Sequence, residues 1–274
     1  MAKFGIGGTS GLDVLLSPLQ PDDIEALGRL EIEEWSDVAA VQRFYLSKPF
    51  CHTVKASMGG RIVGIGTAIQ SREVGWIQDV GVAGNCRRKG IGGAVVECLV
   101  EHLKAEGCRT VLLGASEMAC SLYSRLGFKV DTEYVTFVGD LEIPSAGGFG
   151  EHIRPSSPGD EKAIVDLDRE ICGEDRGTEL REKLEHSFVY VDDGVPRGFY
   201  FPFVRGGLVE AVDRSAGLEL MGFKTMNTKK AVVPRENVPA IVHLIKNGYR
   251  QLEREIRMYH GEPFRWRPDC IYGF

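Results

Sequence analysis

The chain has 274 residues, 43% of them hydrophobic and 26% charged, with a net charge of -6. That length exceeds a typical single domain and fits two domains of roughly 130 residues each, while the composition excludes a disordered or fibrous chain. The acidic balance lacks the basic face of a nucleic-acid binder; with no signal-type apolar run at the start and no stretch of membrane-spanning length, a soluble, cytoplasmic protein with neither nucleic acid nor membrane as partner is expected.

Val14–Leu16 reads as a strand, and Gln20-Pro21-Asp22-Asp23 as the cap of a helix over Ile24–Glu34. A second helix is expected at Val38–Leu46. Strands Thr53–Ala56 and Ile62–Gln70 follow, joined by a Gly59-Gly60 turn into a hairpin. Strand Gly75–Val82 runs into Gly84-Asn85-Cys86-Arg87-Arg88-Lys89-Gly90-Ile91-Gly92-Gly93, after which Val95, Val96, Leu99, Val100 and Leu103 have helical spacing. Gly107 ends that helix, Thr110–Leu113 is a buried strand, and Ser116 caps a short helix stopping at Gly127. From Phe128 the chain returns to strand, to about Leu141. The breaker-rich stretch Pro144–Gly150 is the expected linker between domains 1–145 and 150–274. The second half repeats the order: strand His152–Arg154, helices Asp160–Ile171 and Leu180–His186, strands Phe188–Val191 and Gly198–Phe203.

Seven cysteines without a Cys-x-x-Cys pair read as reduced thiols. Cys98 and His102 could share a helix face, but two ligands make a poor zinc site, and packing is the better reading; no metal is called for.

The chemistry concentrates where the strand ending at Val82 passes into a helix. Glycines at 90, 92 and 93 leave backbone amides open at the positive end of a helix dipole, and Arg87, Arg88 and Lys89 add charge at the rim. A Rossmann fingerprint would need a third glycine where Val95 stands, and no Walker-type Gly-Lys-Ser or Gly-Lys-Thr is present.

Arg87-Arg88-Lys89-Gly90-Ile91-Gly92 resembles the [Gln/Arg]-x-x-Gly-x-[Gly/Ala] signature of the GNAT acetyltransferases. Ala119 and Leu122-Tyr123-Ser124-Arg125-Leu126-Gly127-Phe128 resemble the family's next motif at the expected distance. The resemblance covers about residues 12–140. It implies the GNAT fold, an α/β (α+β) fold with a mixed, mostly antiparallel sheet and flanking helices, whose fourth and fifth strands splay to admit the pantetheine arm of acetyl-CoA. By that resemblance, Val80, Gly81, Val82, Arg87, Arg88, Lys89, Gly90, Ile91, Gly92, Gly93, Ser116 and Tyr123 hold the cofactor. The Val80 amide polarises the thioester carbonyl, and Tyr123 is the general acid for the departing thiolate. A phenol keeps its proton at neutral pH and suits that task; the bland alternative is a tyrosine that packs a helix on the sheet.

A base for the amine is not evident. The positions where family members often carry Glu or His hold Trp76 and Gln78, and strand alternation turns Asp79 to the other face, leaving water, Glu117 or a residue of the second domain open. Cys120 lacks an activating histidine nearby and reads as packed.

In the second half, Val233-Pro234-Arg235-Glu236-Asn237, Ala240 and Leu244–Tyr249 resemble a worn copy of the second motif, with Leu244 at the tyrosine position. Arg214–Glu219 resembles a remnant of the first, with Glu219 replacing its last glycine. The whole chain thus resembles a tandem GNAT protein with a degenerate second domain, which is expected to bind no cofactor and to serve as packing partner, acceptor-pocket wall or homodimer contact. The activity implied is acetyl transfer from acetyl-CoA to a primary amine, by direct attack in a ternary complex, on a small molecule ahead of a protein. A non-catalytic acyl-CoA sensor or scaffold is the alternative.

Overall fold

The computed structural model describes residues 2–5, 13–28, 30, 32, 35, 37–139, 150–263 and 265–274. These form two compact units, one comprising the described residues up to Val130 with Met258–Pro263, the other Asp131–Arg257 with those of 264–274. Residues 144–149 of the expected linker, and Leu141, lie outside the described residues. Among the described residues no helix is long and apolar enough to cross a membrane.

In the first unit β1 (Ala2–Gly5), β2 (Asp13–Pro18), β3 (Cys51–Met58), β4 (Arg61–Ser71), β5 (Val74–Val82) and β6 (Thr110–Ala115) lie side by side in that order. Beyond β6 the sheet continues with Met258–Gly261, where Thr110 Oγ1 donates to the Glu262 carbonyl at 2.5 Å. Neighbours from β1 to β5 are antiparallel. β5 and β6 are parallel, as a strand–helix–strand crossover requires.

The helix expected over Ile24–Glu34 is shorter. A 3-10 turn at Pro21–Asp23, closed by a capping box between Gln20 and Asp23, leads into α1 (Ile24–Leu27). Gly28, a poor helix former, follows, and Leu30 and Ile32 are buried outside any helix. α2 (Val38–Leu46) spans the expected residues, with Asp37 Oδ1 accepting from the Ala40 amide at 2.9 Å. On this side Leu19, Ile24, Leu27, Leu30, Ile32, Val38 and Ile65 form one core cluster.

α3 (Ile91–Ala105) buries Ile91, Val95, Val96, Leu99, Val100 and Leu103, a stripe that follows from the 3.6-residue repeat. It packs tightly on β4. A Cβ on Gly66 would stand 2.6 Å from Val95 Cγ1 and 2.9 Å from Leu99 Cδ1, so only glycine lets the helix approach there. α4 (Glu117–Arg125) follows β6, and its N-cap Ser116 makes no side-chain capping bond.

The second unit contains most of β7 (Lys129–Gly139), then β8 (Ile153–Pro155), α5 (Glu161–Cys172), α6 (Gly177–Lys183), β9 (Phe188–Asp192), β10 (Val195–Phe201) and β11 (Leu208–Ala211). α7 (Arg214–Thr225), β12 (Lys230–Pro234), α8 (Val238–Lys246), β13 (Tyr249–Gly261, whose end is the segment of the first unit) and β14 (Ile271–Gly273) complete it. Its strands lie in the orders β14-β11-β10-β9-β8 and β13-β7-β12. The core gathers Val135, Phe137, Tyr200, Val209, Leu220, Met221, Val233 and Leu244.

This unit also buries charge. Arg176 donates to Asp168 at 2.5 Å and to Glu210 at 2.6 Å, all three side chains at most 5% exposed. Removing the arginine alone would leave two carboxylates unpaired, at a cost of about 3–5 kcal/mol. Lys224 is completely buried, donates from Nζ to the Gly207 carbonyl at 2.6 Å, and is pushed by burial down to about 7.

The Lys224 shift has a definite sign. The folded chain binds that proton less tightly than the unfolded chain, so the group's contribution is full above the ordinary lysine range and is lost as pH falls toward 7. Lys224→Met removes this titration. Between pH 9 and pH 6 the variant should gain roughly 2–3 kcal/mol relative to the wild type, measured by denaturant melts at both pH values; a difference independent of pH would contradict the assignment.

Candidate functional site

The parallel ladder between β5 and β6 runs from Val74 opposite Thr110 to Ile77 opposite Leu113. β5 then continues through Gln78–Val82 without its β6 neighbour. The cause of the divergence lies on the other edge of β5. Ile65 pairs with Gly81 and Thr67 with Gln78, so Asp79 and Val80 together oppose the single residue Gly66. This is a β-bulge, which bends a strand and raises its twist. Asp79 takes φ of +52°, the left-handed conformation that aspartate tolerates better than most residues.

A cleft of about 1050 Å³ opens at the divergence. One wall is Val80, Gly81 and Val82; the turn and start of α3 contribute Arg87, Arg88, Gly90, Ile91, Gly92 and Gly93; α4 contributes Ala119, Leu122 and Tyr123. Of the residues singled out in the sequence, Lys89 and Ser116 do not line it. Lys89 Nζ instead donates to the Asn85 carbonyl at 3.1 Å.

The turn into α3 is built by backbone conformation. Arg88 and Gly90 have φ of +61° and +79°, which lets successive amides face one side as in an anion-binding nest. Arg87 Nε donates to the Val82 carbonyl at 3.3 Å, tying the arginine to the end of β5. Internal packing does not require glycine at 92 or 93. A Cβ at Gly92 would meet only Val82 at 3.6 Å, and one at Gly93 only Leu122 at 3.6 Å, both ordinary contacts. Glycine in a helix costs up to about 1 kcal/mol relative to alanine, so its presence on the cleft side is consistent with room kept for close approach from outside.

Tyr123 is 8% exposed and packs edge-on to Phe128, ring centroids 6.0 Å apart. Burial, then the neighbouring Cys120, raises its hydroxyl above the ordinary tyrosine range. It stays protonated at neutral pH. Cys120 is also raised by burial, which leaves it a poor nucleophile.

The bulge breaks the alternation between Gln78 and Asp79, although neither lines the cleft. Tyr45, on α2, has its hydroxyl 3.3 Å from Gln78 Oε1. Burial, then the charge of Asp79 and a hydrogen bond to it, raises the Tyr45 hydroxyl well above the ordinary tyrosine range. Gln78 and Asp79 are consecutive, yet both reach one hydroxyl. Beside them Gln42, Thr53 and Thr67 form a buried network with contacts of 2.9 Å between Thr53 and each of the other two. Glu117 is exposed and does not line the cleft.

Sequence reasoning missed Ile32 and Trp35, which complete the cleft. A Cβ on Gly81 would lie 2.4 Å from Ile32 Cδ1 and 3.0 Å from the Trp35 ring, so glycine at 81 admits them. The expected helix over Ile24–Glu34 had absorbed Ile32, and Trp35 lay just beyond its end. Met118, Ser121 and Arg125 also line the cleft, and the i, i+4 relation of Met118 and the i, i+3 relation of Arg125 to Leu122 were the available signal.

Comparison with known proteins agrees with this geometry. The family described as Acetyltransferase (GNAT) family matches residues 19–128. A Trypanosoma brucei brucei protein named glucosamine 6-phosphate N-acetyltransferase is 31% identical over 140 residues, 44% of this chain and 92% of that protein. Among solved structures, a Pyrococcus horikoshii protein superposes with a TM-score of 0.77 at 19% identity, over 95% of this chain and 94% of the other. A tandem GNAT protein from the clavulanic acid biosynthesis pathway superposes with a TM-score of 0.59 at 13% identity, over 92% of this chain and all (100%) of the other. These two likenesses concern the fold, and each spans nearly the whole chain. The family match and the Trypanosoma relative, with the two linked motifs, establish that the chain belongs to the GNAT acetyltransferase family.

Proposed function

We propose that the first unit transfers an acetyl group from acetyl-CoA to a primary amine, by direct attack in a ternary complex with no covalent enzyme intermediate and no metal. One observation carries this reading: Val80, the Arg87–Gly93 turn and Tyr123 converge on a single cleft. Catalysis is thereby assigned to residues 1–145, and a non-catalytic role to 150–274.

The amides around Gly90–Gly93, with the positive end of α3, suit a pyrophosphate. Arg87 and Arg88 supply charge that is screened by salt. The free edge of β5 offers its Val80 and Val82 backbone groups to an extended amide-bearing chain, and the Val80 N–H is the donor for the thioester carbonyl oxygen. A preorganised donor of that kind contributes several kcal/mol to the transition state. As the amine nitrogen bonds to the carbonyl carbon and the carbon–sulfur bond breaks, Tyr123 O–H gives its proton to the sulfur. The amine's own proton passes through water to Asp79, which stands beside the bulge rather than in the cleft lining, and Tyr45 holds the carboxylate in place by donating to it. Both side chains then exchange protons with solvent.

The acceptor to test first is an amino sugar phosphate, the class named for the Trypanosoma relative. Polyamines, amino acids and aminoglycosides follow. Release of CoA in such a panel separates the transferase reading from the alternative of an acyl-CoA sensor, which would bind acetyl-CoA and turn over none of them.

Two substitutions test the roles. Tyr123→Phe should lower kcat by roughly ten- to a thousandfold with little change in acetyl-CoA affinity, read by steady-state kinetics and calorimetry. Full activity in the folded variant would return the leaving-group proton to solvent.

Asp79→Asn should lower kcat by roughly a hundredfold or more at neutral pH, and Tyr45→Phe by less, since it only loosens the carboxylate. The deficit of Asp79→Asn should shrink as pH rises and more of the amine arrives unprotonated. A pH–rate profile parallel to the wild type would remove Asp79 from proton transfer.

A further inference from the structure

The second unit repeats the strand–helix–strand passage of the first: α7 joins β11 to β12 as α3 joins β5 to β6. In the first unit the place between the two diverging strands is a cleft. In the second it is filled by polypeptide. β14 pairs antiparallel with β11, Val209 opposite Gly273 and Glu210 opposite Ile271. On its other side Phe274 and Val232 of β12 exchange two N–H to carbonyl hydrogen bonds of 3.0 Å each. We propose that this place is a peptide-binding slot, specific for an extended backbone, and that the chain fills it with its own Ile271–Phe274.

Four further contacts fit the slot to that segment. Asn237, completely buried at the N-cap of α8, donates from Nδ2 to the Ile271 carbonyl at 2.8 Å. Tyr272, 3% exposed, lies flat against α7 where a Cβ on Gly217 would stand 2.1 Å from its ring, so Gly217 is the gap that receives the aromatic ring. At Gly273 a Cβ would stand 3.0 Å from Lys224 Nζ, so a larger residue there would have to displace the end of that lysine. Phe274 packs edge-on against Tyr134, ring centroids 4.8 Å apart.

A nucleotide cofactor does not suit this slot. The Asp213 carboxylate accepts the Ala216 amide at 2.9 Å and the Ser215 hydroxyl at 2.9 Å, so a negative charge already occupies the N-terminus of α7 where a phosphate would have to bind. Leu244, at the position matching Tyr123 in the repeated motif, is completely buried in the core and has no proton to give. The slot has kept the backbone-pairing half of a divergence site and exchanged the phosphate-binding half for a self-cap.

The test uses the full chain and a chain ending at Cys270, with the peptide Ile-Tyr-Gly-Phe and CoA as probes. The shortened chain should melt several degrees lower than the full chain and recover with millimolar peptide but not with CoA, and each chain should bind one CoA in calorimetry. Equal melting of the two chains, no recovery with peptide in a shortened chain that folds, or a second CoA bound by it would each overturn the proposal. If the shortened chain does not fold, hydrogen exchange of the intact protein decides: the Gly273 and Phe274 amides should exchange as slowly as those of β11, and exchange at the rate of an exposed loop would overturn it. Loss of CoA binding by the intact chain would sink the acetyltransferase reading and leave the slot proposal standing.

Discussion

Backbone amides and carbonyls that leave a sheet must find other partners, and the two units meet this requirement in different ways. In the first, the bulge at Asp79–Val80 turns β5 away from β6 after Ile77, and Val80–Val82 at its end line a cleft. In the second, β11 and β12 are joined through β14 and Phe274, so no such edge remains. One architecture thus yields a cleft where the divergence is open and a structural joint where chain closes it.

The same bulge governs the chemistry. It brings the Val80 backbone to the cleft, and it breaks the alternation that would have sent Gln78 and Asp79 to opposite faces, so that both meet Tyr45. The proposed proton donor Tyr123 and the proposed proton acceptor Asp79 are held on different elements, α4 and β5. Their environments differ accordingly: burial keeps Tyr123 protonated, while Asp79 remains partly exposed.

Much of this was legible in the sequence. Periodicity located α2 and β5 to within a residue and α3 to within a turn, and the glycines after Val82 announced the turn that lines the cleft. The bulge was not legible, because two residues opposing one is a property of the β4–β5 pairing and leaves no period in β5 alone. Ile32 was lost for a related reason: its apolar spacing satisfies a helix that Gly28 does not continue. In the second unit, the motif remnants at Arg214–Glu219 and around Leu244 were visible, but what fills the slot was not. A short segment such as Ile271–Gly273 has no pattern of its own, and its partners are far away in sequence.

On the proposed reading, the free edge of β5 and the turn into α3 together form the acetyl-CoA site. A crystal structure of the chain grown with acetyl-CoA tests it most directly. The account predicts one molecule per chain, its pyrophosphate against the amides of residues 90–93, its pantetheine arm hydrogen-bonded to Val80 and Val82, and its sulfur within reach of the Tyr123 hydroxyl. Acetyl-CoA bound anywhere else, with the edge from Gln78 to Val82 untouched, would contradict it.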